Sequence, residues 1–221
     1  MKNILAIAPH ADDEIIGLGG TLVKHIKQGD NVYVCVITRG CPPIFSGGFM
    51  EKLRAETLRC HKRLGVKETF FLEFPSVMLD SVPRYELNGK MAEIFQKVQP
   101  QTVYIPHFGD MQKDHAIVSE AAMVCVRPKY SYKVENVYAY ETLSETEWNI
   151  PHVSNAFIPQ RYVDISAELA EKTVLLSCYE SQVAEFPNPR SIEAVTALAK
   201  YRGATVGVNA AEAFAVIREI V

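Results

Sequence analysis

Two short stretches of this chain hold residue types that do chemistry together. "PHADDE" at 9–14 sets an imidazole, His10, close to three consecutive acids, Asp12, Asp13 and Glu14. "PHFGDMQKDH" at 106–115 supplies His107, Asp110, Gln112, Asp114 and His115 far along the chain. Adjacent carboxylates repel and shift one another's pKa, so three in a row call for a physical reason. One reason is a divalent cation, which compensates neighbouring negative charges. A histidine, a carboxylate and a second histidine are a ligand set for catalytic zinc, with one position left for water. His10 and Asp13 are three apart on a tight turn and so face one point, while Asp12 between them projects elsewhere. A carboxylate beside a metal but not bound to it is placed to take a proton from the metal's water. The other reason is that the acids cap the helix that follows, since anions favour a helix N-terminus. Glu14 is read in this second way, and His115 taken alone would be an ordinary histidine at a helix start.

These residues need a frame that brings the two stretches together. Short apolar runs at 4–8, 32–37, 70–72 and 103–105 predict strands. Between them, helical periodicity covers 18–29, 50–64, 84–98 and 114–126, with Gly29 and Gly65 as stop signals. Further strands are expected at 137–140 and 162–165, helices at 166–182 and 191–202, and last comes "AAEAFAVIREI" at 210–220. The alternation predicts an α/β fold, a single Rossmann-like domain over 1–221, with a mainly parallel sheet and helices on both faces. Strands apolar on both sides agree with that covering. Ligands in such sheets bind beyond the carboxyl ends of the strands. The two stretches follow the first and fourth strands and should therefore meet in one composite site. "CPPIFSGGF" at 41–49 reads as a mobile loop at the end of the second strand. "GLGGT" at 17–21 resembles a dinucleotide fingerprint, but Leu22 stands where a third glycine would be needed. These glycines are read instead as allowing a sharp turn and close packing of the first helix on the sheet.

Composition excludes several classes. Lysine and arginine total 23 against 26 acids, a net charge of −3 with no basic block, which argues against nucleic acid or an anionic surface as partner. The N-terminal apolar run is too short for a membrane span or a secretory signal. Five scattered cysteines, none in a C-x-x-C spacing, read as buried thiols rather than bridges or zinc ligands and fit a reducing cytoplasm.

"PHADDE" with "GDMQKDH" resembles the PIG-L/LmbE family of zinc-dependent N-acetylglucosaminyl deacetylases. The likeness extends through "LRAETLRCHKRLGV" (53–66), "YETLSETEW" (140–148), "YESQ" (179–182) and "YRGATVGVNAAEAF" (201–214). It implies His10, Asp13 and His115 as metal ligands for Zn²⁺, with Fe²⁺ as an alternative occupant of the same donors. It implies Asp12 as general base and an N-acetyl-sugar conjugate as substrate, cleaved to acetate and a free amine. One position departs from the family pattern. Gln112 stands where many members carry a histidine, and an amide donates a hydrogen bond but delivers no proton. Protonation of the leaving amine then falls to Asp12 or to His107. The resemblance also points to Arg54 and Asp80 on the substrate side, and Glu141 is expected there because it follows the fifth strand, each with a plain surface or structural role as the alternative. Asp110 and Asp114 are expected to orient the imidazoles. Trp148 is read as a core residue in preference to a sugar platform, and Arg190 and Arg202 as solvated. Two other functions stay open: a metal-dependent hydrolase of another amide or an ester, and a non-catalytic sugar- or metal-binding module. A homo-oligomer is also left open.

Overall fold

The computed structural model describes residues 1–221. Its first apolar run forms β1 (Asn3–Ala8), buried from Ile4 onward. The next strands are β2 (Asn31–Arg39), β3 (Glu68–Pro75), β4 (Thr102–Pro106) and β5 (Asn136–Tyr140), with β6 (Arg161–Asp164) and β7 (Ala211–Arg218) near the C-terminus. They form one seven-stranded sheet in the order β3-β2-β1-β4-β5-β7-β6. The first five pair in parallel, and β7 runs antiparallel between β5 and β6. The segment 210–220 thus forms a strand that turns the parallel sheet into a mixed one.

Alternate residues of the central strands supply both faces of the sheet. Leu5 and Ile7 join Ile37 and Ile105 in a core beneath α3 (Arg84–Val98) and α4 (Lys113–Cys125). Ile4 and Ala6 join Val34 and Val36 in a second core against α1 (Asp13–Lys27), α2 (Gly47–Leu64) and α5 (Leu169–Leu176). The last helix, α6 (Ile192–Ala204), covers β6 and β7. Because β2 and β4 flank β1 on opposite sides, the chain leaves β1 and β4 in opposite directions. That reversal opens a crevice at their carboxyl ends, the usual ligand site of an open α/β sheet.

Strands β2 and β3 run longer than expected, and three other boundaries differ for reasons the structure shows. The first helix begins at Asp13, five residues before 18, because Asp12 turns the chain sharply with a φ of 101°. It then breaks at Leu18 (φ −145°) and restarts, so periodicity sees only its second part. The helix expected over 166–182 is confined to Leu169–Leu176, followed by turns that run into Pro187 and Pro189. In 41–49 the last three residues already belong to α2, whose N-terminus is capped by Ser46 Oγ accepting from Phe49 N.

The glycines of 17–21 do pack the first helix closely. A Cβ on Gly17 would collide with the Tyr140 ring and stand 2.9 Å from the Glu141 carbonyl. Tyr140 has no room to yield, being fully buried with its hydroxyl donating to the Ile7 carbonyl at 2.8 Å. Gly17→Ala is therefore expected to destabilise the protein by about 1–3 kcal/mol, the usual cost of overpacking a core. Urea unfolding of the variant beside the wild type measures it, and an unchanged midpoint would show that the helix and sheet can separate here.

Candidate metal-dependent active site

The turn after β1 and the N-terminus of α4 meet at the crevice. The rings of His10 and His115 lie with centroids 5.3 Å apart, and Asp13 stands between them. Asp13 Oδ2 is 3.3 Å from His10 Nδ1 and 3.3 Å from His115 Nε2. One donor atom from each of the three lies within 4.8 Å of the other two, the compact arrangement a single divalent ion requires. Asp13 Oδ1 and His115 Nε2 are buried with no hydrogen-bond partner, and buried polar atoms are rarely left so. The donor set and its orphaned atoms fit a metal.

The opposite side of each ring is fixed by a carboxylate. Asp110 Oδ2 accepts from His115 Nδ1 at 2.8 Å and its Oδ1 accepts from the Thr146 hydroxyl at 2.6 Å. Asp114 Oδ2 stands 3.1 Å from His10 Nε2 and accepts from Val77 N at 2.6 Å, which also ties the 77–79 turn to α4. Both contacts leave the inward nitrogen of each ring, Nε2 of His115 and Nδ1 of His10, facing Asp13. Burial works against a charged ring at His115, but Asp13 and Asp110 outweigh it and lift its pKa to about 10. Asp13 is held well below the usual carboxylate range by the two histidines, against the cost of burying it.

Asp12 does not cap the helix with its side chain. Its Oδ2 accepts from Arg190 Nη1 at 2.7 Å, while Oδ1 is buried without a partner. Burial pushes its pKa up to about 8 despite Arg190, with Asp13 and Glu14 adding to the rise. A carboxyl group near neutrality is suited to taking up and returning a proton. Its left-handed backbone is costly for a non-glycine residue and persists only where the surroundings fix it. Glu14 does that fixing: it is fully buried, and its Oε2 accepts from Asp12 N at 3.2 Å. Its Oε1 accepts from the Tyr179 hydroxyl at 2.6 Å and lies 3.0 Å from His61 Nε2. Glu14 is therefore a buried anchor and not only the helix-capping acid read from its position.

A cavity of about 270 Å³ opens above His10 and Asp12 and is also lined by Arg54, Gln112, Glu145 and Arg190. Gln112 caps α4 through its amide oxygen, which accepts from Asp114 N, and its amide nitrogen is 3.3 Å from His10 Nε2. Arg54 lies on the cavity wall, 4.0 Å over the Phe71 ring and paired with Glu73. Other expected residues are not brought to this cavity. His107 is engaged elsewhere, its Nε2 3.0 Å from the Asn155 carbonyl and its ring edge-on to Phe157. Glu141 is held in a two-point pair by Arg202, at 2.8 and 2.6 Å, and lines a separate small cavity. Asp80 is exposed on a short 3₁₀ turn (Leu79–Ser81). Trp148 is 66% exposed, which overturns its reading as a core residue.

Arg190 and Glu145 are the site residues that sequence reasoning missed. Arg190 Nε donates to Ser144 Oγ at 2.9 Å and its Nη2 lies 3.6 Å from Glu145 Oε1, so it is a part-buried ion-pair residue rather than a solvated one. It sits in "FPNPRS", just before α6, where no periodicity points inward.

Comparison with known proteins identifies the family of the chain. The profile of PIG-L, described as GlcNAc-PI de-N-acetylase, matches residues 5–126. The chain is 27% identical over 175 residues to the uncharacterized deacetylase YaiS of Escherichia coli strain K12, covering 76% of this chain and 84% of that protein. It is 26% identical over 196 residues to the diacetylchitobiose deacetylase of Thermococcus kodakarensis, covering 84% of this chain and 72% of that one. Among solved structures, the conserved protein TT1542 from Thermus thermophilus superposes with a TM-score of 0.81 at 28% identity, covering 100% of this chain and 97% of its own. The chain belongs to the PIG-L family, whose members hydrolyse N-acetyl amide bonds.

Proposed function

We propose that the protein is a metal-dependent hydrolase that removes the acetyl group from a small N-acetylated amino-sugar conjugate of the N-acetylglucosamine type. The observation that carries this reading is the His10–Asp13–His115 cluster with the partnerless Oδ1 of Asp12 beside it. The named activity of the diacetylchitobiose deacetylase relative supports the substrate class. The three clustered residues would hold one divalent ion, Zn²⁺ with Fe²⁺ as the alternative. Such an ion polarises an amide carbonyl and makes water a better nucleophile at neutral pH.

The chain's own residues do the rest. Arg190 holds one oxygen of Asp12, so the other accepts the proton of the attacking water and returns it to the departing amine nitrogen. The amide nitrogen of Gln112 offers a hydrogen bond to the oxygen that gains charge. Because Asp12 serves both directions of proton transfer, no histidine at position 112 is needed. Acetate and a free amine leave. Five free cysteines agree with work in a reducing compartment, and no helix is long and apolar enough to cross a membrane.

Acetate release from N-acetylglucosaminides, lost on chelation and restored by Zn²⁺ or Fe²⁺, tests the reading. Metal-loaded protein that releases no acetate from any of them while cleaving a simple ester would replace it with an esterase. The orienting role of Asp110 gives a separate expectation. Asp110→Asn should weaken metal affinity by about 10–100-fold, the usual loss on removing a carboxylate behind a ligating imidazole. Competition with a zinc chelator reads that change, and an unaltered affinity would show that Asp110 does not orient His115.

A further inference from the structure

Beside charged residues such as Arg39, Arg54 and Glu73, the cavity lining contains an apolar wall. Val36 from β2, Phe71 from β3, and Phe45, Phe49, Met50 and Leu53 from α2 and the turn before it all line it. Phe45 and Phe49 stack with centroids 5.7 Å apart and planes within 17°. The stack is held close by Gly40, where a Cβ would stand 2.8 Å from the Phe45 ring. This wall belongs to the same cavity that His10 and Asp12 line, so a ligand that fills the cavity touches both. A sugar with only hydroxyl groups would leave it uncovered by apolar surface, and burying a hydroxyl against it without a partner is costly.

Resting on the deacetylase reading, we propose that the substrate is an N-acetylated amino sugar whose aglycone carries a compact apolar group, an aryl ring or short alkyl chain, packed against the Phe45–Phe49 stack. The size of the cavity agrees. At about 270 Å³ it is slightly smaller than the roughly 300–1,000 Å³ of pockets that enclose drug-sized ligands, which suits one sugar and one small group rather than an oligosaccharide. Arg54 bears on the same wall by lying 4.0 Å over the Phe71 ring.

The test is direct binding by calorimetry to metal-loaded protein, with three probes: methyl N-acetyl-β-glucosaminide, its phenyl glycoside, and the N-hexanoyl methyl glycoside. The phenyl glycoside should bind about tenfold or more tightly than the methyl one, with a more negative heat-capacity change. In Phe45→Ala and Phe49→Ala, tested singly, that ratio should fall towards unity. Equal affinities in the wild type would overturn the proposal, as would a ratio unchanged in both variants. A gain confined to the N-hexanoyl probe would place the acyl chain on this wall and overturn the aglycone assignment. The wild-type comparison decides even if a variant fails to fold. Acetate release is followed in parallel. A phenyl preference in binding without deacetylation would sink the reaction assigned above and leave the apolar subsite standing.

Discussion

Asp12→Asn is expected to lower the rate of acetate release by at least about a hundredfold, within the usual range for removing a general base, while the metal stays bound. Asparagine keeps the shape of the side chain, and its carbonyl oxygen still accepts from Arg190. What it lacks is the second oxygen, which in the native protein is buried without a partner and is the atom available to a proton. Metal content should be unaffected, because Asp12 is not one of the three clustered donors. The substitution also takes a charged partner from part-buried Arg190, so urea unfolding of the same variant is needed to separate a lost base from a weakened fold. The measurements are kcat by acetate release and metal by elemental analysis on the same sample. A rate close to wild type with the metal retained would remove Asp12 from the mechanism.

The composite site was legible in the sequence because its parts sit at strand ends. His10 follows β1, His115 opens α4 just past β4, and an α/β sheet allows only one place for both. The placement of Asp110 and Asp114 beside the two imidazoles was legible for the same reason. What could not be read was any partner supplied by long-range packing. Glu14 carries the composition of a helix-capping acid, yet Tyr179 and His61 reach it from the turn after α5 and from α2. Arg190 lies in an irregular segment with no period to show which way it faces, and only the docking of α6 brings it to Asp12. His107 and Glu141 illustrate the reverse error. Both stand at strand ends, the correct position for a site residue, but Asn155 and Arg202 draw them to a neighbouring surface.

The fold class was legible as well, and what differed were particular element boundaries, each for a specific reason. Strand and helix types followed from periodicity wherever a segment packs on one continuous surface, and α3 lies at the residues expected, 84–98. The first helix does not pack that way. It is two helical pieces joined at Leu18, and a period read across the break matches only the second. The final strand has no assignment from sequence because short, alanine-rich "AAEAFAVIREI" suits helix and strand equally, and only pairing with β5 and β6 decides it.

The break in α1 and the last strand are physically linked, and their link carries the largest expected loss of stability. A helix that stops and restarts exposes carbonyls on one side of the break and N–H groups on the other. Glu212, on β7, accepts from Gly20 N at 2.9 Å and Thr21 N at 2.6 Å. Lys172, on α5, donates to the Ile16 carbonyl at 2.7 Å and to Glu212 at 2.6 Å. Both side chains are only 3% exposed. Lys172→Met should therefore cost about 3–5 kcal/mol, because it leaves the Glu212 charge buried without its counter-ion. That is a large share of the roughly 5–15 kcal/mol that holds a typical domain together. The double variant Lys172→Met with Glu212→Gln should lose less than the sum of the single losses, since no uncompensated charge remains. Urea unfolding of the three variants reads both effects. A loss below about 1 kcal/mol for Lys172→Met, the scale of an exposed pair, would mean that water reaches the break. Because Asp13 sits in the first turn of the same helix, the weakened variant should also hold its metal less tightly. The pair would then be a mechanical support of the site, because it spans the break between the ligand-bearing first turn and the rest of the helix.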